Sequence, residues 1–252
     1  MTLAYLNWSL AWDARYEFLD GLWLALRISV VSLALSVLAG ILLALARMAR
    51  PPLSWLAATY VNVFRGLPIL VAALWIYFGL ALLLGWNFSK FQAGVIALTL
   101  LYSAFISEIY RSALSAVSRG QREAGLALGM HPVRVFTRIV LPQATKIAIP
   151  NIGSMMIGMV KDTSVFTVIG AVEVTAVAQN IDSVTYQSFV AYSAAGLVYI
   201  LAAFGLDFIF RTTERSLTTP PSGPIARALH GRRRRRVEQV VRKFGGAQLE
   251  AP

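Results

Sequence analysis

Long apolar stretches alternate with short polar ones along the chain. Runs at 19–46, 66–84, 93–113, 147–170 and 188–210 are each long enough, at about 1.5 Å per residue, to cross a hydrocarbon core of about 30 Å as an α-helix. The pattern predicts an all-α membrane protein with five transmembrane helices. Residues 53–65 are also apolar, but Gly66 and Pro68 interrupt the run, so this piece is read as an interfacial helix leading into the second span. The chain then divides into a polar leading segment at 1–18, a membrane domain at 19–217 with a long polar loop at 114–146, and a tail at 218–252.

Charge orients these spans. The chain is 57% hydrophobic and 14% charged with a net charge of +11, and the location of that charge matters more than its sum. Arg47 and Arg50, then Arg111, Arg119, Arg122, Arg134, Arg138 and Lys146, then Arg211, Arg215 and the tail fall on one side. The other side has Arg15 and Lys90 against Asp13, Glu17, Asp20, Glu173 and Asp182. The positive-inside rule therefore puts the N-terminus outside and the C-terminus inside. Asp13, Glu17 and Asp20 near the start are unlike a cleaved secretory signal, so the N-terminus is expected to be retained.

The tail carries Pro220, Pro221 and Pro224 before the run Arg232–Arg236, the composition of a disordered arm drawn to the anionic surface of the bilayer; no nucleic-acid partner is expected. The chain has no cysteine, and His131 and His230 are isolated, which leaves no thiolate or metal site to expect.

The loop at 114–146 is the richest in chemistry. Gln121 to Met130 can form a short helix with Ala124, Leu126, Leu128 and Met130 as apolar surface and Arg122 and Glu123 as a charged start, interrupted by Gly129 and Pro132. A second short helix is expected over Val133 to Val140, stopped by Leu141-Pro142. Two such helices at a Gly/Pro elbow make a compact knob.

This arrangement resembles the cytoplasmic EAA loop of permease subunits in bacterial ABC importers. The elements read Gly120-Gln121-Arg122-Glu123-Ala124-Gly125, then Gly129, then Ile139-Val140-Leu141-Pro142, with Gly125 replacing the second alanine. Alanine to glycine loosens a helix by roughly 1 kcal/mol without abolishing it. Arg65-Gly66-Leu67-Pro68, Glu108-Ile109-Tyr110-Arg111, Leu141-Pro142-Gln143-Ala144 and Lys161-Asp162-Thr163-Ser164 narrow the resemblance to polar amino acid permeases over residues 20–217.

The resemblance implies a type I importer permease fold in the bacterial plasma membrane. It implies as partners ABC ATPase subunits, a second permease subunit in a homodimer or heterodimer, and an external solute-binding protein. No Gly-x4-Gly-Lys-Ser/Thr phosphate loop occurs, so no cofactor is expected on this chain, and ATP and Mg are assigned to the partner ATPase. The coupling residues carried over are Gly120, Gln121, Glu123, Ala124, Gly125, Leu128, Gly129, Met130, Leu141 and Pro142. A channel, a structural membrane adaptor or a membrane-embedded enzyme are the competing readings. The loop spacing opposes the first two, and no nucleophile or metal constellation favours the third.

Charges inside spans cost about 2.5–3.5 kcal/mol each and usually face a cavity or a partner helix. Lys161 and Asp162 near mid-depth, with the hydroxyls of Thr163 and Ser164, are therefore candidates for the solute pathway, as are Glu108 and Glu173. Glu108 is read first as pairing with Arg111 one turn away, and Glu173 as a solvated loop residue available to a delivering protein or an entering amino group. Arg65 is read as snorkelling to lipid phosphate. Gly153, Ser154 and Gly158 form a small-residue patch that admits a neighbouring helix.

Overall fold

The computed structural model describes residues 6–217, and every regular element among them is a helix. The Arg232–Arg236 run lies outside the described residues. A short helix α1 (Ser9–Asp13) leads into α2 (Arg15–Arg47). The helix thus begins before the expected boundary at 19. Ala14 and Phe18 are buried against Val174, Val177 and Ala191, and that burial holds the polar start of α2 in the fold.

After α2 come α3 (Leu53–Gly66) and α4 (Ile69–Leu84), which meet at an angle of 105°. Leu67 is extended at the bend, as the residue before a proline prefers, so the Gly66/Pro68 interruption acts where the sequence placed it. Together the two pieces pass as one broken span; with α2, α5 (Lys90–Ala116), α7 (Pro132–Ile169) and the last helix they give up to five crossings. A capping box between Ser89 and Gln92 starts α5. Between α5 and α7 stands α6 (Arg119–Ala127), and α8 (Val174–Thr185) precedes α9 (Ser188–Leu217). Residues up to Asp207 form one compact unit; a second begins at Phe208, and its described part is the end of α9.

The centre of the first unit is the seam between α2 and α5. Ser29, Ser32, Ser36, Gly40 and Ala44 are buried along one face of α2 at spacings of three and four. Ser32 Oγ donates to the Val95 carbonyl at 3.4 Å, Ser36 Oγ to the Thr99 carbonyl at 3.5 Å, and a side chain on Gly40 would collide with Ile106. Residue numbers rise together along both helices, so α2 and α5 run parallel, which requires the intervening α3–α4 to return across the bundle. Small residues let the two backbones approach where lipid supplies no hydrophobic drive between helices.

The sequence expectation fails at Leu141-Pro142. Those residues do not end a helix: α7 continues through them as 38 helical residues, about 57 Å long. A π turn at Phe136–Val140 directly precedes Pro142 and absorbs its missing N–H, as single π turns in long helices do. The last seven residues, Thr163–Ile169, tighten into 3-10 geometry before Gly170 at φ 77°.

Candidate functional site

The knob is built from α6 and the first two turns of α7. Gly129, at φ 76°, closes α6: its N–H bonds to the Leu126 carbonyl at 2.9 Å and the Met130 N–H to the Gly125 carbonyl at 3.2 Å, the paired bonds of a Schellman motif. His131 then caps α7, with Pro132 in its first turn. Gly125 is the buried residue of α6, where an added Cβ would stand 2.9 Å from Ile139 Cδ1 and 3.0 Å from Val135 Cγ2. The departure from Glu-Ala-Ala is therefore the point of closest approach of α6 to α7, a role that helix propensity alone does not reveal.

The rest of α6 faces outward. Gly120, Gln121, Glu123 and Ala124 are exposed, Leu128 is 82% exposed, and Met130 is half-buried. Leu128, at the C-terminal end of α6, and Glu123, five residues earlier, are both open at the surface of a helix fixed at one glycine. A cavity of about 420 Å³, lined by Met48, Leu114, Arg119 and Arg122, separates the base of the knob from the ends of α2 and α5. The knob consequently rides on α7. Leu141 is half-buried and Pro142 exposed within that helix.

The interior charges separate into three groups. Glu108 on α5 pairs with Arg111 at 2.7 Å and also with Arg47 of α2, so its carboxylate is committed to two guanidiniums. Further along α7, Lys161 is exposed and forms no ion pair among the described residues, while Asp162 accepts a 2.9 Å hydrogen bond from Tyr102 Oη of α5. Adjacent helix positions diverge by about 100°, and the two charges duly find different surroundings. Gly158 lies under Tyr102, where a Cβ would meet the phenol oxygen at 2.9 Å, so this glycine lets the tyrosine reach Asp162 one turn on. Gly153 beside it is buried, whereas Ser154 is exposed, so the three small residues do not share one packing surface.

Thr163 is fully buried and its hydroxyl donates to the Val160 carbonyl at 2.7 Å. One reading is corrected. Glu173 is not a solvated loop residue: it is 0% exposed. Its carboxylate caps α8 by accepting from the backbone N–H of Thr175 at 2.9 Å and Ala176 at 3.0 Å, and from Thr167 Oγ1 at 2.5 Å and the Tyr199 hydroxyl. The tight turn at Gly170 folds Glu173 back beneath α2, and the close approach is possible because residue 21 is glycine: a Cβ there would stand 2.7 Å from the backbone of Glu173 and Val174. Ser164 is half-buried beside this cluster, and its carbonyl accepts from Thr167. A cavity of about 800 Å³ lined by Glu17, Asp20, Gln179 and Asn180 opens at this end of the bundle.

Tyr102, Tyr199, Arg47, Gly21 and Gly40 thus hold the functional groups in place without having been singled out in the sequence. Only Gly40 carried a legible signal, the regular spacing of small residues before and after it.

The family described as binding-protein-dependent transport system inner membrane component matches residues 36–219. The arginine transport system permease protein ArtQ of Bacillus subtilis is 37% identical over 200 residues, 79% of this chain and 91% of that one. The glutamine transport system permease protein GlnP of Escherichia coli K12 is 34% identical over 216 residues, 84% of this chain and 97% of that one. A solved amino acid ABC transporter, crystallised with histidines, superposes with a TM-score of 0.78 at 33% identity, covering 85% of this chain and 99% of the other. The methionine transporter MetNI in an inward-facing conformation shares the fold with a TM-score of 0.69 at 21% identity. A helical bundle matched over most of its length by such relatives has one assignment: the chain belongs to the family of inner-membrane components of binding-protein-dependent transport systems, a multi-pass transport subunit and not an enzyme.

Proposed function

We propose that this chain is the membrane-spanning subunit of an ATP-driven importer of a polar amino acid or a close zwitterionic analogue. Two copies, or one copy and a sister permease, form the passage; ABC ATPase subunits holding ATP and Mg bind the knobs from the cytoplasm; an external solute-binding protein delivers the solute at the opposite face. The relatives named for arginine and glutamine support the amino acid class. The single observation that carries the mechanism is the outward face of α6, with Leu128 82% exposed and Ala124 and Glu123 exposed about a turn before it, packed on a helix that continues to Asp162.

In this reading Leu128 and Ala124 seat in an apolar groove of the ATPase and Glu123 meets a basic group there, the helix-in-groove mode of recognition. Closure of the ATPase dimer displaces α6, and α7 carries the displacement to Lys161, Asp162 and Ser164 at its far end. Tyr102 ties that end to α5, so the two helices move as levers about the bundle.

The test is the double variant Glu123→Arg with Leu128→Asp in vesicles reconstituted with the ATPase and the binding protein. Uptake of radiolabelled amino acid falls to background, and the ATPase no longer co-purifies, while the thermal midpoint of the isolated subunit is unchanged because both side chains are exposed. Intact uptake with the ATPase still bound refutes the coupling role.

A further inference from the structure

Arg65 lies in the last turn of α3, immediately before the bend, and its guanidinium carbon sits 5.7 Å from the centre of the Phe105 ring of α5, within cation–π range. Phe105 and Arg65 line one cavity of about 360 Å³ together with Glu108, Ser112, Asn151 and Met155. That cavity lies among α3, α5 and α7, and the guanidinium is turned toward its α5 wall.

Its electrostatics are one-sided. The lone carboxylate in the lining, Glu108, is already shared by Arg47 and Arg111. Arg65 forms no ion pair among the described residues and is exposed to the cavity. Three guanidiniums against one carboxylate leave a positive excess, and an unpaired charge lining a cavity marks a place for a counter-ion. A guanidinium presents a planar fork of donors matched to a carboxylate. The Asn151 amide, exposed on the opposite wall, adds a neutral donor and acceptor. The volume falls within the range of about 300–1,000 Å³ typical of small-molecule sites.

We infer that the Arg65 cavity is an inner subsite that holds the carboxylate of the travelling solute on the knob side of the bundle, before release. The inference rests on the amino acid import proposed above and adds the group that receives the solute's negative end. Lys161 and Asp162 lie beyond Tyr102, further from the knob, so the Arg65 subsite is a second station along the path and not a restatement of that pair.

Because the chain has no cysteine, Ser112→Cys, in the cavity lining, introduces its single thiol, and Ala116→Cys provides a second reporter if the first disturbs assembly. The ATPase-bound complex in phosphatidylcholine vesicles is labelled with N-ethylmaleimide, an uncharged reagent, in the presence of L-arginine or L-glutamine, or of their decarboxylated analogues agmatine and 4-aminobutanamide. The amino acids slow labelling and the decarboxylated analogues do not. Arg65→Gln raises the half-protecting concentration by about ten- to a hundredfold, the loss expected for a charge-assisted contact, and Arg65→Lys by less. Equal protection by the decarboxylated analogues, or protection indifferent to Arg65→Gln, overturns the subsite. So does protection that appears only when phosphatidylglycerol is added, which would make it a headgroup site. Uptake is measured on the same vesicles: absence of any amino acid uptake defeats the importer reading, whereas normal uptake with unprotected thiols defeats the inner subsite alone.

Discussion

Removing the carboxylate of Glu173 tests whether the end of the bundle remote from the knob is held by one buried acid. In Glu173→Ala the first-turn N–H groups of Thr175 and Ala176 lose their acceptor, which costs about 1 kcal/mol on the scale of N-cap substitutions. The hydroxyls of Thr167 and Tyr199 each lose a bond to a charged acceptor, a contact of about 1.5–3 kcal/mol. The lower figure applies, because Thr167 keeps the Ser164 carbonyl at 2.9 Å and Tyr199 keeps Thr175 Oγ1 at 3.3 Å. The sum is about 4 kcal/mol. At about 2–4 °C per kcal/mol for a chain of this size, the thermal midpoint falls by roughly 10 °C. The assay is tryptophan fluorescence of the detergent-purified protein on heating, with the exposed Glu17→Ala as the control. Glu173→Gln keeps an acceptor for the backbone but loses the charge, and falls between the two. A drop of about 2 °C or less in Glu173→Ala, indistinguishable from the control, would show that this acid is neither buried nor the anchor of α8.

Two glycines make further predictions. In Gly40→Leu the new Cβ would stand 2.7 Å from Ile106 Cγ2 and 3.1 Å from the Ser103 carbonyl oxygen, so α2 and α5 must separate; overpacking of this kind costs about 1–3 kcal/mol, and Gly40→Ala shows the smaller part of the loss, read from the same melting curves. An unchanged midpoint in Gly40→Ala contradicts the close seam. In Gly125→Leu the side chain meets Val135 and Ile139 and lifts α6 from α7, so ATP-driven uptake is lost while the melting midpoint of the bundle stays near the parent's; Gly125→Ala, opposed only by two side-chain tips that can yield a few tenths of an ångström, keeps uptake. Retained uptake in Gly125→Leu counts against a knob that works by riding on α7.

The spans and the knob were legible because their signals are local. Twenty apolar residues in a row, a Gly/Pro elbow and the fixed spacing from Glu123 to Pro142 need no knowledge of what lies across the bundle. What was not legible depends on partners far apart in sequence. Nothing near Glu108 announces Arg47, 61 residues earlier, and nothing near Glu173 announces Tyr199, 26 residues later. Glu173 was misplaced because an acid after a span ordinarily lies in solvent; only the fold-back at Gly170 and the gap left by Gly21 bury it. Nor does anything near Arg65 announce Phe105, over whose ring its guanidinium sits.

The failed helix stop at Leu141-Pro142 bears most directly on how force can travel. Had proline ended a helix there, the knob would connect to the fourth crossing through a joint, and motion of α6 could dissipate in it. The π turn instead carries the helix past the proline. Around it Thr137 Oγ1 donates to the Val133 carbonyl, Gln143 Nε2 to Ile139 and Thr145 Oγ1 to Leu141, each at 2.9 Å. A second proline follows at Pro150, whose missing N–H leaves the Lys146 carbonyl without its usual partner. Pro150 adjoins Asn151 on the wall of the Arg65 cavity, so under the coupling proposed above a bend at that proline would reshape this cavity before the Asp162 end.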